Sequence, residues 1–164
     1  MGIKRGRPSR AELRFEEHVG PTPETVAKLA GDALLDLVER GDLTVDHERA
    51  GREINAVWDE LERLFSRASN NDMMRVSVSR RDLPDAMSHA LARRLRTRHQ
   101  PWASREIERV LAPGVTRYGL VWRLCNLNWP PTFIAQNTGL KESAVLCAVR
   151  DSLDVYIALA EKES

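Results

Sequence analysis

From Gly20-Pro21 to Phe65 apolar residues recur at helical spacing. Thr22 can cap a helix with Pro23 at its first position. Val26, Leu29, Ala30, Ala33, Leu34, Leu37 and Val38 then fall three and four apart on one face. Gly41, just after Arg40, stands where such a helix stops. After a link over residues 42–44, a second helix starts near Val45 and carries Ala50, Ile54, Val57, Trp58, Leu61, Leu64 and Phe65 on one face. Two amphipathic helices joined by so short a link predict an antiparallel hairpin.

The periodicity lapses over residues 66–79, where Ser69-Asn70-Asn71-Asp72 marks an internal boundary. Met73-Met74-Arg75-Val76-Ser77-Val78 has the look of an extended stretch, but no partner strand is evident. Asp82 then caps a helix whose stripe is Met87, Ala90, Leu91 and Leu95, and Pro101 ends it. A short helix over about 104–111 stops at Pro113-Gly114. The next, over 116–128, carries Leu120, Val121, Leu124 and Leu127. Pro130-Pro131 breaks the chain again, and two closing helices cover about 132–138 and 142–162. The expected fold is all-α: a flexible basic arm (1–20), a helical hairpin (21–68) and a helical bundle (80–164), read together as one assembly of helices.

Composition agrees with helices packed on helices, since apolar residues make up 42% of the 164 but aromatics only 5%. No apolar stretch approaches the roughly 18 residues that span a bilayer, so the expectation is a soluble, cytoplasmic protein with no membrane partner. Cys125 and Cys147 lie far apart in apolar-patterned segments and read as reduced core thiols. The net charge of +1 hides an uneven distribution. Residues 1–14 carry +4, 15–74 carry −8, 75–123 carry +7 and 124–164 carry −2. Basic surface set apart from acidic surface is common in proteins that bind polyanions. Catalysis has little support. His18, His47, His89 and His99 show no metal-ligand spacing, and no phosphate loop, nucleophile elbow or dinucleotide fingerprint occurs, so neither enzyme nor cofactor is expected.

Three segments carry candidate chemistry. Lys4-Arg5-Gly6-Arg7-Pro8, followed by Arg10, resembles the AT-hook, whose core is Arg-Gly-Arg-Pro; Lys4 stands where the hook has proline. Glycine lets the backbone approach the groove floor, and a narrow A·T minor groove attracts the two guanidinium groups. The other reading is a basic tail. Residues 131–150 resemble a helix-turn-helix: Ile134 and Ala135 lie on the first helix, Gly139 at the turn, and Val145 and Ala148 on the second. Its outward positions would be Lys141, Glu142, Ser143, Leu146, Cys147 and Arg150. Of these, Lys141, Ser143 and Arg150 can donate to phosphates or base edges, while Leu146 and Cys147 suit a protein surface better. DNA reading, protein docking and plain bundle core all remain open for this pair. Finally, Arg93, Arg94, Arg96 and Arg98, preceded by Arg80 and Arg81, cover more than one helix face. They either meet phosphates or pair with the acidic hairpin.

The chain as a whole resembles small helix-turn-helix regulators of alphaproteobacteria and their prophage-like elements. Ala33-Leu34-Leu35-Asp36-Leu37-Val38-Glu39-Arg40-Gly41, Ala50-Gly51 and Ser152-Leu153-Asp154 carry the resemblance. It implies regulation of phage or phage-like genes. With the arm and the helix pair, the expectation is a transcriptional regulator that binds duplex DNA, with A·T-rich minor groove as the arm's target and RNA polymerase as a further candidate partner. Two alternatives stay open. One is the small DNA-recognising subunit of a phage packaging terminase, which forms rings; the other is a helical module that docks on a protein. Oligomerisation is undecided at this level.

Overall fold

The computed structural model describes Thr22, Thr25, residues 31–70 and residues 88–162. The arm residues Lys4, Arg5, Gly6, Arg7, Pro8 and Arg10, the extended stretch near Val76 and the helix start at Asp82 lie outside them. Within them the fold is all-α, apart from one short antiparallel strand pair.

Thr22 meets its capping expectation, because its hydroxyl accepts from the Thr25 N–H at 3.3 Å. The stripe that follows is not one unbroken helix to Arg40. Gly31 takes a left-handed backbone (φ +64°), and α1 (Ala33–Glu39) begins afresh with the Asp32 carboxylate capping Leu35 N–H at 3.2 Å. Asn128 clamps the break from across the molecule, accepting from Ala33 N–H at 2.8 Å and donating to the Gly31 carbonyl. Gly41 ends the helix region in the left-handed conformation, as expected.

The second helix, α2 (Val45–Asn70), starts at the expected residue. Its cap is reciprocal: Thr44 Oγ1 accepts from His47 N–H at 3.3 Å, and His47 Nδ1 accepts from Thr44 N–H at 3.1 Å. Histidine thus fills the place that Glu or Gln takes in the usual capping box. The remaining ring nitrogen, Nε2, donates to Asp154 at 2.8 Å and ties this helix start to the last helix.

Pro101 does not end a helix. α3 (His89–Arg94) runs through a π-helical turn (Leu95–His99) straight into α4 (Gln100–Ile107). In a regular helix the proline ring would strike the carbonyl four residues back. Here the turn is widened, with Gln100 N–H reaching Leu95 C=O five residues back, and the chain passes the proline without breaking. The helix expected over 104–111 is likewise shorter. It stops at Ile107, and β1 (Val110–Ala112) turns at Pro113-Gly114 to pair with β2 (Val115–Thr116). Thr116 then caps α5 (Arg117–Cys125), followed by α6 (Pro131–Thr138) and α7 (Glu142–Glu161).

One core joins hairpin and C-terminal helices: Leu34, Leu37, Ile54 and Trp58 are buried together with Trp102, Leu120, Leu124, Ile134, Val149 and Leu153. The facing stripes of the hairpin are therefore internal, and α7 lies against α2, α4, α5 and α6. A smaller cluster of Val57, Leu64, Ala92 and Leu95 binds the far half of α2 to α3. Because Ile54 is fully buried, Ile54→Val is expected to cost about 0.5–1.5 kcal/mol in denaturant unfolding. A cost near zero would show that the site relaxes to fill the missing methyl.

Candidate nucleic-acid interface

The segment 131–150 forms two helices meeting at a glycine turn. Pro131 starts α6 with its ring where no N–H is needed. Gly139 closes it with φ +71° and ψ +8°, a conformation that a Cβ would strain. Ile134, Ala135, Val145, Ala148 and Val149 are all buried and fill the angle between the helices. α5 packs on both, so the pair is braced by a third helix.

The outward side divides into three strips. Along one, α7 is tied to the hairpin: Arg40 reaches Glu142 at 3.7 Å, Arg150 donates to the Asp42 carbonyl at 2.7 Å, and Asp154 meets His47. Leu146 lies in the same row and is half-buried against the core, so it is not an outward position. Along another, Asp151 pairs with Arg117 of α5 at 2.8 Å. Between them Lys141, Ser143, Ala144 and Cys147 face solvent, with Gln136 and Asn137 of α6 alongside in exposed positions. Lys141 makes no side-chain cap, so no side-chain acceptor at that position takes up the first N–H groups of α7. Cys147 is exposed, contrary to the expectation of a core thiol. Cys125 does pack against the core, and burial pushes its thiol up to about 12.

Arg93 and Arg94 are exposed on α3, but they do not join this surface. Arg94 and Arg98 lie near Tyr156, and Ser143 to Tyr156 is about 20 Å along α7 at 1.5 Å per residue. Among the described residues, the pairing alternative for the arginine helix holds for Arg98, whose guanidinium meets Glu53 at 3.0 Å; Arg80 and Arg81 lie outside them. The structure thus places Lys141 and Ser143 together at the exposed start of α7, ties Arg150 to Asp42, sets Arg93 and Arg94 apart, and adds Arg40 and Asn137, which sequence spacing does not single out. Arg40 is legible only as the residue before a helix-stopping glycine; its reach to Glu142 depends on how the hairpin docks.

Other chemistry-bearing groups are interior. Trp102 donates from Nε1 to the Ser152 carbonyl at 3.0 Å and to its hydroxyl at 3.1 Å. Trp58 donates to the Tyr118 hydroxyl at 3.0 Å. His99 sits in this aromatic box, its ring 5.8 Å from Trp58 and 5.5 Å from Trp102, with Nε2 buried and without a hydrogen-bond partner among the described residues. Glu106 is fully buried, and neither carboxylate oxygen has a hydrogen-bond partner among the described residues. Among those residues no group of three or more His, Cys, Asp or Glu gathers to hold a metal ion, and no helix is long and apolar enough to cross a membrane. Comparison with protein-family models, with curated proteins and with solved structures returns no match.

Proposed function

We propose that this chain is a DNA-binding transcriptional regulator that presents the α6–α7 pair to duplex DNA. The observation that carries the reading is a braced two-helix angle whose second helix opens its first turn to solvent. Gly139 sets the angle, and Lys141, Ser143, Ala144 and Cys147 form the open strip. Small side chains there let the backbone come close to a groove wall. Lys141 and the uncapped N–H groups supply donors for phosphate, and Gln136 and Asn137 offer amides at the edge. Arg150 has a different part: tied to Asp42, it holds the hairpin against α7. In this reading Arg5 and Arg7 of the arm add minor-groove contacts.

The test is capture of genomic fragments by the full chain, followed by affinity measurement on the enriched duplex. Lys141→Glu is expected to weaken that binding at least tenfold and to lower the salt slope by about one unit. Unchanged affinity and slope would overturn the reading. A specific observation favours a second one, a module that docks on protein. Phe65 and Ile107 are more than half exposed and flank an apolar groove of about 510 Å3. Light scattering by the free chain bears on a third: a closed ring of many subunits would move the assignment to a packaging subunit.

A further inference from the structure

The arginines of the described residues divide sharply. Arg40, Arg49, Arg52, Arg63, Arg98 and Arg117 are in ion pairs. Arg123 and Arg150 donate to backbone carbonyls. Arg93, Arg94, Arg96, Arg105 and Arg109 are all exposed, and none has an ion pair or a side-chain hydrogen bond among the described residues. These five fall on one continuous stretch, the α3–π–α4 helix and the residue that leads from it to β1.

We propose that this helix is a phosphate clamp: a second, sequence-independent contact through which the chain grips the backbone of duplex DNA. Arginine on a solvated surface commonly finds an acid within reach, as Arg98 does with Glu53. Over residues 88–109 the only carboxylates are Glu106, which is fully buried, and Glu108. The helix itself therefore offers one exposed acid against these arginines; from neighbouring elements Glu53 is taken up by Arg98, and Asp154, bound to His47, lines the groove beside Arg105. Residues 15–74 carry −8, and that separation orients an approaching polyanion.

Position argues for an extended polyanion, not a single anionic group. Residues 93 to 109 span about 24 Å at the helical rise, the axial length of about seven base pairs. The arginines also lie on both flanks of the helix. Arg96 borders the groove lined by Phe65 and Ile107, whereas Arg105 borders the groove lined by Asp154, Val155, Leu159 and Lys162, where two cations outnumber the one acid. The exposed ridge carries Thr97 and Pro101, with Ser104 at the edge of the Arg96 groove. A half-exposed helix with cations on either side and small side chains on its crest suits a major groove, which admits a helix and places a phosphate strand along each wall. An acidic peptide would satisfy one flank only.

The inference rests on the DNA-binding reading for its choice of polyanion, but not on the α6–α7 pair. The experiment keeps the two apart. Binding of the full chain to a random-sequence 24-base-pair duplex is measured between 50 and 200 mM KCl, beside binding to the enriched duplex. Combined substitution of the five arginines by glutamine is expected to lower the salt slope by about three to five units on both duplexes and to leave the preference between them intact. Lys141→Glu should erode that preference. If it does not, while the arginine effect persists, the α6–α7 reading fails and the clamp stands. An unchanged slope in the five-arginine variant would overturn the clamp. So would equal loss on a 24-nucleotide single strand, or loss of polyglutamate binding with DNA binding kept. Thermal melting checks that the variant folds. If it does not, Arg93→Gln with Arg94→Gln, and Arg105→Gln with Arg109→Gln, are measured as separate pairs, each expected to remove about two units of slope.

Discussion

Trp102→Ala is expected to destabilise the fold by about 3–5 kcal/mol, against a total of about 5–15 kcal/mol for a typical domain. The side chain is completely buried at the point where α2, α4, α5 and α7 meet. Its ring centre lies 6.2 Å from that of Trp58, 5.4 Å from Tyr118 and 5.8 Å from Tyr156. Removing it leaves a cavity walled by rigid rings that cannot collapse far, which is the condition for a large cavity penalty. It also strips the Ser152 hydroxyl of its indole donor. Trp102→Phe separates the two effects. It keeps most of the volume but not the donor, and should cost about 1–3 kcal/mol. Denaturant unfolding followed by circular dichroism reads both values. A loss below about 1 kcal/mol for the alanine variant would mean that the aromatic box does not hold the four helices together.

The parts of this fold that show in the sequence are those with local causes. Thr44 before Val45, Gly41 after Arg40 and Gly139 after Thr138 are punctuation that acts within a turn or two, and each sits where the helices start or stop. The burial of Leu34, Leu37, Ile54 and Trp58 follows from spacing alone. The departures arise where a distant group decides. Gly31 falls inside an uninterrupted apolar stripe, and a helix tolerates glycine at a cost of about 1 kcal/mol. What breaks the helix there is Asp32 as a cap together with Asn128, which comes from 95 residues away to hold both sides of the break. Pro101 reads as a stop signal, yet a π turn anchored by the buried Leu95 and His99 absorbs it.

Val110, Val115 and Thr116 around Pro113-Gly114 did carry a strand-and-turn signal, and the short apolar run at Val110-Leu111 fits helix and strand alike. The candidate interface divides in the same manner. The turn at Gly139 is local and legible. The tethering of Arg150 to Asp42, the inward lean of Leu146 and the Arg40–Glu142 pair depend on how the hairpin docks against α7, which spacing does not encode. Nor does spacing distinguish Arg98, which finds Glu53, from Arg96 two residues earlier, which finds no partner among the described residues.

His99 should make the fold sensitive to mild acid. Its ring is buried between Trp58 and Trp102 on the π turn, and among the described residues Nε2 has no hydrogen-bond partner and no carboxylate is in hydrogen-bond contact with the ring. Burial alone penalises the charged ring and holds its pKa down at about 4, against 6.5 for an ordinary histidine. The unfolded chain therefore takes up a proton near pH 6.5 that the native ring refuses until about pH 4. Between those values the unfolded state binds more protons, so stability is fully present above pH 6.5 and falls as the pH drops toward 4. The difference amounts to about 3 kcal/mol in all, of which about 2 kcal/mol is lost between pH 7 and pH 5. That upper window lies above the titration of ordinary carboxylates, so the surface ion pairs stay intact across it. His99→Phe keeps an aromatic ring in the box and removes the proton site; His99→Gln keeps a polar group but cannot titrate. Urea unfolding at pH 7 and pH 5 should show the wild type losing about 2 kcal/mol and both variants losing less than half of that. Equal pH dependence in all three proteins would mean that the ring is already solvated in the native state, and the buried geometry around His99 would have to be abandoned.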